Sequence, residues 1–263
     1  MANIPEINLA PDVLTTIGPV PITNAFLATL ATSLILLIIA FIVRRKAGII
    51  PTRPQMAFEL VYEFIYEKMV MSFGDEERAQ KFFPLIFTIF LFLLIANQFA
   101  LIPFIQSIVT EDGISLLRTP TSDYSLPIAL TILILVIANG LALMISPLRH
   151  IGNFIKFESF FKMKSIKDLP MACLDFFLGL MDIIGEVAKL ASLSTRLFGN
   201  IFAGEVIITI ITGLMFYSQF LVPIPFLVLS TLAGLVQAFV FAMLSIIFIS
   251  SSLNGVRKEE SPA

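Results

Sequence analysis

From Asn24 to Val43 the chain carries no charged side chain, and it then meets Arg44, Arg45 and Lys46 in succession. Crossing the hydrocarbon of a bilayer takes about 20 apolar residues, and this run supplies them. Lipid offers no water to backbone N–H and C=O groups, so a spanning segment of this kind must satisfy them internally as a helix. Further apolar stretches follow at Pro84 to Ile105, Leu126 to Ile145, Leu169 to Met215 and Leu221 to Leu253. Between the first and second, Arg53 to Lys81 alternates Met56, Leu60, Phe64 and Met71 with Glu59, Glu63 and Glu67. That pattern predicts an amphipathic helix at the interface or packed on the bundle.

Composition agrees with lipid as the main solvent. Only 14% of residues are charged and the mean hydropathy is +0.95, against about 25% charged in soluble domains. The expected fold is an all-α polytopic membrane protein with about five transmembrane helices and one amphipathic interfacial helix. No internal repeat is visible and no loop could hold a soluble domain, so residues 1–263 are read as one membrane domain. Its parts are an N-terminal segment at 1–23, spans at 24–43, 84–105 and 126–145, the amphipathic helix at 53–81, a long charged helix at 169–215 and a long C-terminal helix at 221–253. The last two exceed what a perpendicular crossing needs, so strong tilting, kinking or projection beyond the bilayer is expected.

Charge in the loops orients the chain. Basic residues follow the first and third spans, the latter set being Arg149, His150, Lys156, Lys162, Lys164 and Lys167, while Thr110 to Asp123 is net acidic. By the positive-inside rule the N-terminus lies outside and the tail with Arg257 and Lys258 is cytoplasmic. Met1 to Thr23 has no basic region ahead of an apolar run, so no cleaved signal is expected. A net charge of -2 gives no field for nucleic acid. The single cysteine, Cys173, lies in an apolar stretch and reads as packing, and the lone His150 has no second histidine with which to build a metal site. Neither a metal nor another cofactor is expected.

Leu169 to Met215 breaks the apolar rule, carrying Asp175, Asp182, Glu186, Lys189, Arg196, Asn200 and Glu205. Each charge near the middle of a membrane helix costs at least about 2.5 to 3.5 kcal/mol, so such residues face protein or water and mark ion paths. At about 100° per residue, Asp182, Lys189, Arg196 and Asn200 share a sector of roughly 40°, whereas Glu205 stands about 180° from Arg196. Arg196 and Glu205 therefore cannot pair on one face. Asp182, Glu186 and Lys189 suit either a local salt-bridged cluster or a polar route for ions. For Arg196 an ion pair within the bundle is the plain alternative, yet its nearest polar neighbour on the same face is Asn200. Arginine stays charged under all accessible conditions, so it attracts and discharges a mobile carboxylate without passing the proton on. Gly199, Ala203 and Gly204 permit close helix approach. In the final helix Ser230 and Gln237 share a face, where Gln237 serves either as interhelical glue or as a partner of the charged helix. Asn97 and Gln98 near Pro103 are read as structural.

The run Arg196-Leu-Phe-Gly-Asn200-Ile-Phe-Ala-Gly-Glu205 resembles the signature of the subunit a family of F-type ATP synthases. The likeness extends to Lys189 and Ser192, to Gln237-Ala-Phe-Val-Phe and to the Asn97 to Pro103 stretch. It implies the ion-channel stator of a rotary motor in a bacterial plasma (inner) membrane, not catalytic by itself, working with a c-subunit ring, a b-subunit peripheral stalk, the remaining synthase subunits and membrane lipids. The transported ion would be the proton, with sodium as the alternative. By the same resemblance Arg196 is the stator arginine facing the ring and separating two half-channels. Glu205 is a half-channel carboxylate on the outer side, Asn200 and Gln237 are polar partners near the rotor, and Asp182, Glu186 and Ser192 lie along the cytoplasmic half-channel. A well-known form of the family has a histidine where this chain has Ser230, which leaves the partner of Glu205 open. A secondary ion-coupled transporter is the rival reading, but such proteins show paired repeats. A membrane hydrolase would need a catalytic constellation, and neither HExxH nor Gly-x-Ser-x-Gly occurs.

Overall fold

The computed structural model describes residues 12–17, 20–46, 53–98, 115, 117–145, 169–214 and 222–258. The basic loop from Arg149 to Lys167 and the Thr110 to Gly113 part of the acidic connection lie outside these residues. The described chain opens with an antiparallel hairpin, β1 (Val13–Ile17) and β2 (Val20–Thr23), which the sequence reading did not foresee. Its strands are rich in valine, isoleucine and threonine on either side of Gly18-Pro19, a hairpin signal weakened by Pro21, since proline within a run argues against a strand. Thr23 then caps α1 (Asn24–Lys46), its Oγ1 accepting from the Phe26 N–H at 3.2 Å.

The amphipathic segment and the second span are divided differently from expectation. Helix α2 covers Arg53–Phe73 and α3 covers Glu76–Gln98, so the break falls at Gly74 and not at residues 82–83. Gly74 has φ +64°, a left-handed conformation that ends a helix cheaply only in glycine. Its N–H donates to the Val70 carbonyl at 2.9 Å. Asp75 opens the next helix, its Oδ1 accepting from the Glu77 N–H at 3.1 Å. Pro84, expected to start the span, sits inside α3. Proline there removes one N–H, a loss that membrane helices tolerate. The expected continuation to Ile105 lies outside the described residues. Helices α2 and α3 are joined by aromatic side chains, with Tyr62 and Phe83 centroids 4.4 Å apart and Phe58 and Phe87 at 5.4 Å.

A 3-10 turn at Pro120–Ser122 leads into α4 (Ser125–Ile145), and two long helices follow, α5 (Leu169–Leu214) and α6 (Pro223–Lys258). The final helix therefore begins two residues later than expected and continues past Leu253. Helix α5, with 46 residues, is about 69 Å long at about 1.5 Å per residue, against a hydrocarbon core of about 30 Å. Among the described residues four helices are long and apolar enough to cross a membrane: α1, α3, α4 and α6.

The chain divides into two compact units. The first comprises Met1–Pro127 and Thr195–Leu244, the second Ile128–Ser194 and Ser245–Ala263. In the first unit, Ile65, Met69, Ile86, Leu93, Leu197, Ile201 and Phe241 are fully buried. There Asn97 joins three elements: its Nδ2 donates to the Gly234 carbonyl of α6 at 3.0 Å, and its Oδ1 accepts from Thr121 Oγ1 at 2.9 Å. A Cβ on Gly234 would come within 3.0 Å of the Asn97 Cβ, so glycine is what lets α6 approach α3 here. In the second unit, Glu186 accepts from Lys189 at 2.6 Å and from Asn139 of α4 at 3.5 Å.

Candidate functional site

Within the first unit, α5 has two unlike faces. Leu197 and Ile201 are buried, while Arg196, Asn200, Ala203 and Ile207 are exposed. These exposed positions recur at intervals of three and four, the signature of one helical stripe. Among the described residues Arg196 forms no ion pair. Asn200 donates from Nδ2 to the Ala233 carbonyl of α6 at 3.3 Å and so ties the stripe to the final helix.

Glu205 turns the other way, into the protein. Its carboxylate Oε2 lies 3.8 Å from Arg118 Nε, with side-chain exposures of 12% and 15% respectively. Thr119 and Ser122 are its other polar neighbours. Among the described residues Glu205 Oε1 and Thr119 Oγ1 are both buried with no fully formed hydrogen bond. In the sequence Arg118 is one residue of a net-acidic connection and does not stand out. A hydrophobic-period search finds membrane helices and is blind to a loop arginine that folds back onto one. The clue available was a single basic residue immediately before Thr-Pro-Thr-Ser, a turn-forming run rich in hydroxyl groups.

The loop is held from several sides. Asn24 at the start of α1 donates to the Ser115 carbonyl at 3.4 Å, and Thr121 reaches Asn97. Ser122 donates through both N–H and Oγ to the Thr119 carbonyl, at 3.1 and 2.9 Å. Tyr124 meets α5 directly, its hydroxyl 2.9 Å from Thr195 Oγ1 and its ring edge-on to Phe198 at 5.1 Å.

The remaining sequence candidates are spread out. Ser230 lies against Gly204, where a Cβ would come within 2.9 Å of its Oγ. It does not belong to the Glu205 contacts. Of the three small residues proposed for close approach, only Gly204 has this neighbour: Gly199 has open space around it and Ala203 is exposed. Asn200, Gly204 and Ser230 border a cavity of about 130 Å³ together with Phe226 and Leu229. Gln237 is buried, and among the described residues its Nε2 has no hydrogen-bond partner. In the second unit Asp182 and Ser192 are exposed, and Lys189 pairs with Glu186 and lies 5.5 Å from the Phe248 ring centroid. Among the described residues no group of acidic, histidine or cysteine side chains is arranged to hold a metal ion.

The sequence profile of the ATP synthase A chain family matches residues 26–250, most of the chain. The chain belongs to that family. Its similarity to ATP synthase subunit a of Moorella thermoacetica is 31% identity, covering 91% of this chain and 94% of the relative. The sodium ion specific subunit a of Propionigenium modestum is also 31% identical, over 89% of this chain and 75% of the relative. Subunit a of Streptococcus gordonii is 29% identical over 91% of this chain and 95% of its own length. Membership of the ATP synthase A chain family makes this a polytopic subunit of the synthase's membrane sector, assembling with other synthase subunits.

Proposed function

We propose that the chain is the ion-conducting stator subunit of an F-type ATP synthase and that it passes protons to and from carboxylates on a rotating c-subunit ring. The observation that carries this reading is the division of α5. One helix exposes Arg196 on a stripe with Asn200, Ala203 and Ile207, and it buries Glu205 against a polar loop on the opposite side. A fixed charge on the outward stripe meets the rotor, while a buried carboxylate behind it serves as a stepping point for protons.

Protons enter from outside past Glu205, load a ring carboxylate, and leave after nearly a full turn by a cytoplasmic route near Asp182, Glu186 and Ser192. Arg196 holds each passing ring carboxylate in its ionised form and never yields a proton, so the two routes stay separate. Each charge crossing 100 mV releases about 2.3 kcal/mol, and one ATP therefore requires several protons. Asn200 and Gln237 supply polar contacts near the rotor. The N-terminus lies outside a bacterial inner membrane and the C-terminus is cytoplasmic, with a b-subunit stalk anchoring the stator.

An affinity tag on the chain, used to purify it from gently solubilised membranes, tests this assembly. The expected product is an ATP-hydrolysing complex containing a small two-helix proteolipid with a mid-membrane carboxylate. A chain recovered alone that supports substrate-dependent uptake in vesicles would instead identify a secondary transporter.

A further inference from the structure

We propose that Arg118 is the positioning residue for Glu205: it holds one carboxylate oxygen and leaves the other to exchange the transported proton. The inference rests on the reading of Glu205 as a station on the ion path, and it supplies the partner that Ser230 does not.

An arginine with 15% side-chain exposure beside a membrane helix is costly to bury unless an opposite charge offsets it. Glu205 provides that charge. A charge-assisted hydrogen bond between them would measure about 2.7 to 2.9 Å, and a two-pronged arginine fork would occupy both carboxylate oxygens. The observed 3.8 Å from Arg118 Nε to Oε2 is neither of these. The contact is a Coulombic one that fixes where the carboxylate sits without occupying it fully. Among the described residues Oε1 is buried with no fully formed hydrogen bond, and so is Thr119 Oγ1, which with Ser122 is a polar neighbour of this carboxylate. These two atoms are the ones placed to receive and hand on a proton.

The position of Arg118 is a property of the fold. Its loop is fastened to α1 through Asn24 and Ser115, and to α3 through Thr121 and Asn97, which in turn holds α6 at Gly234. Arg118 is thus set against Glu205 by three helices that do not themselves carry the charge. Arg196 and Arg118 then have different tasks: Arg196 faces outward toward moving carboxylates, and Arg118 faces inward toward a stationary one.

The test uses membranes carrying the whole complex with Arg118→Gln, Arg118→Lys, Glu205→Gln, or Arg118→Gln combined with Glu205→Gln. Three quantities are measured: assembled chain by immunoblot, ATP-driven acidification of vesicles, and passive proton conduction after removal of the ATP-hydrolysing sector. Arg118→Gln should assemble normally yet lose about ten- to a hundredfold in both proton rates, as expected for a reacting group displaced by about 1 Å. Arg118→Lys should recover most of the loss, because a single Coulombic contact does not need the planar fork. The double variant should be no slower than Glu205→Gln alone, since both changes act at one station. Normal rates in Arg118→Gln alongside slow rates in Glu205→Gln would overturn the role of Arg118 and leave the Glu205 path standing. Normal rates in Glu205→Gln would remove the path itself. Rates that fall only in proportion to assembled chain, without rescue by lysine, would make the pair structural and also overturn the proposal.

Discussion

Arg196→Ala should reduce ATP-driven proton pumping by at least about a hundredfold in membranes that retain the assembled complex. At a contact distance of about 4 Å and an effective dielectric of about 20, a fixed guanidinium attracts a carboxylate by about 4 kcal/mol, roughly a thousandfold in an equilibrium constant. Alanine removes that term. Ring carboxylates would then pass the stator protonated, and the two proton routes would no longer be kept apart. Folding should survive, because Arg196 is exposed and forms no ion pair among the described residues. The check is vesicle acidification measured beside immunoblotting of the subunit. Undiminished pumping would remove Arg196 from the mechanism.

Glu205→Gln should slow coupled transport per assembled complex on the order of tenfold or more, the scale associated with losing a positioned proton-transfer group. Glutamine keeps the shape of the side chain but cannot take and release the proton. It also leaves Arg118 facing a neutral amide. Helix α5 itself should be little affected, since its buried stripe there, Leu197 and Ile201, is apolar and unchanged. Proton uptake rates normalised to assembled complex decide the matter, and rates equal to those of the unaltered chain would take Glu205 off the path.

Both predictions depend on a feature legible in the sequence: nine residues separate Arg196 from Glu205, and helical periodicity puts them on opposite faces. The membrane helices were legible for the same kind of reason, since a charge-free run such as Asn24 to Val43 admits few alternatives in lipid. Boundaries were harder. The charged run Asp75 to Arg78 with Lys81 continues the pattern of the amphipathic segment, so hydropathy alone could not show that Gly74 ends one helix and that Pro84 lies within the next. The hairpin at Val13–Thr23 was hidden by Pro19 and Pro21, which argue against paired strands. The partner of Glu205 was out of reach for a different reason. Arg118 is remote in the chain, and only the packing of Asn24, Asn97 and Thr121 brings its loop to α5. Periodicity describes one helix at a time, and such a contact belongs to tertiary structure.

The two-faced character of α5 is open to direct measurement by disulfide crosslinking to the proteolipid ring. Cys173 is the chain's only cysteine, so replacing it by serine gives a clean background for Ala203→Cys and Ile201→Cys. Ala203 lies on the exposed stripe with Arg196, and Ile201 is 1% exposed on the buried side. With a cysteine scanned along the outer helix of the c subunit in the intact complex, Ala203→Cys should form disulfides at one or two ring positions and Ile201→Cys should form none. Crosslinks from Ile201→Cys, with none from Ala203→Cys, would contradict the assignment of rotor and ion path to opposite faces of this helix.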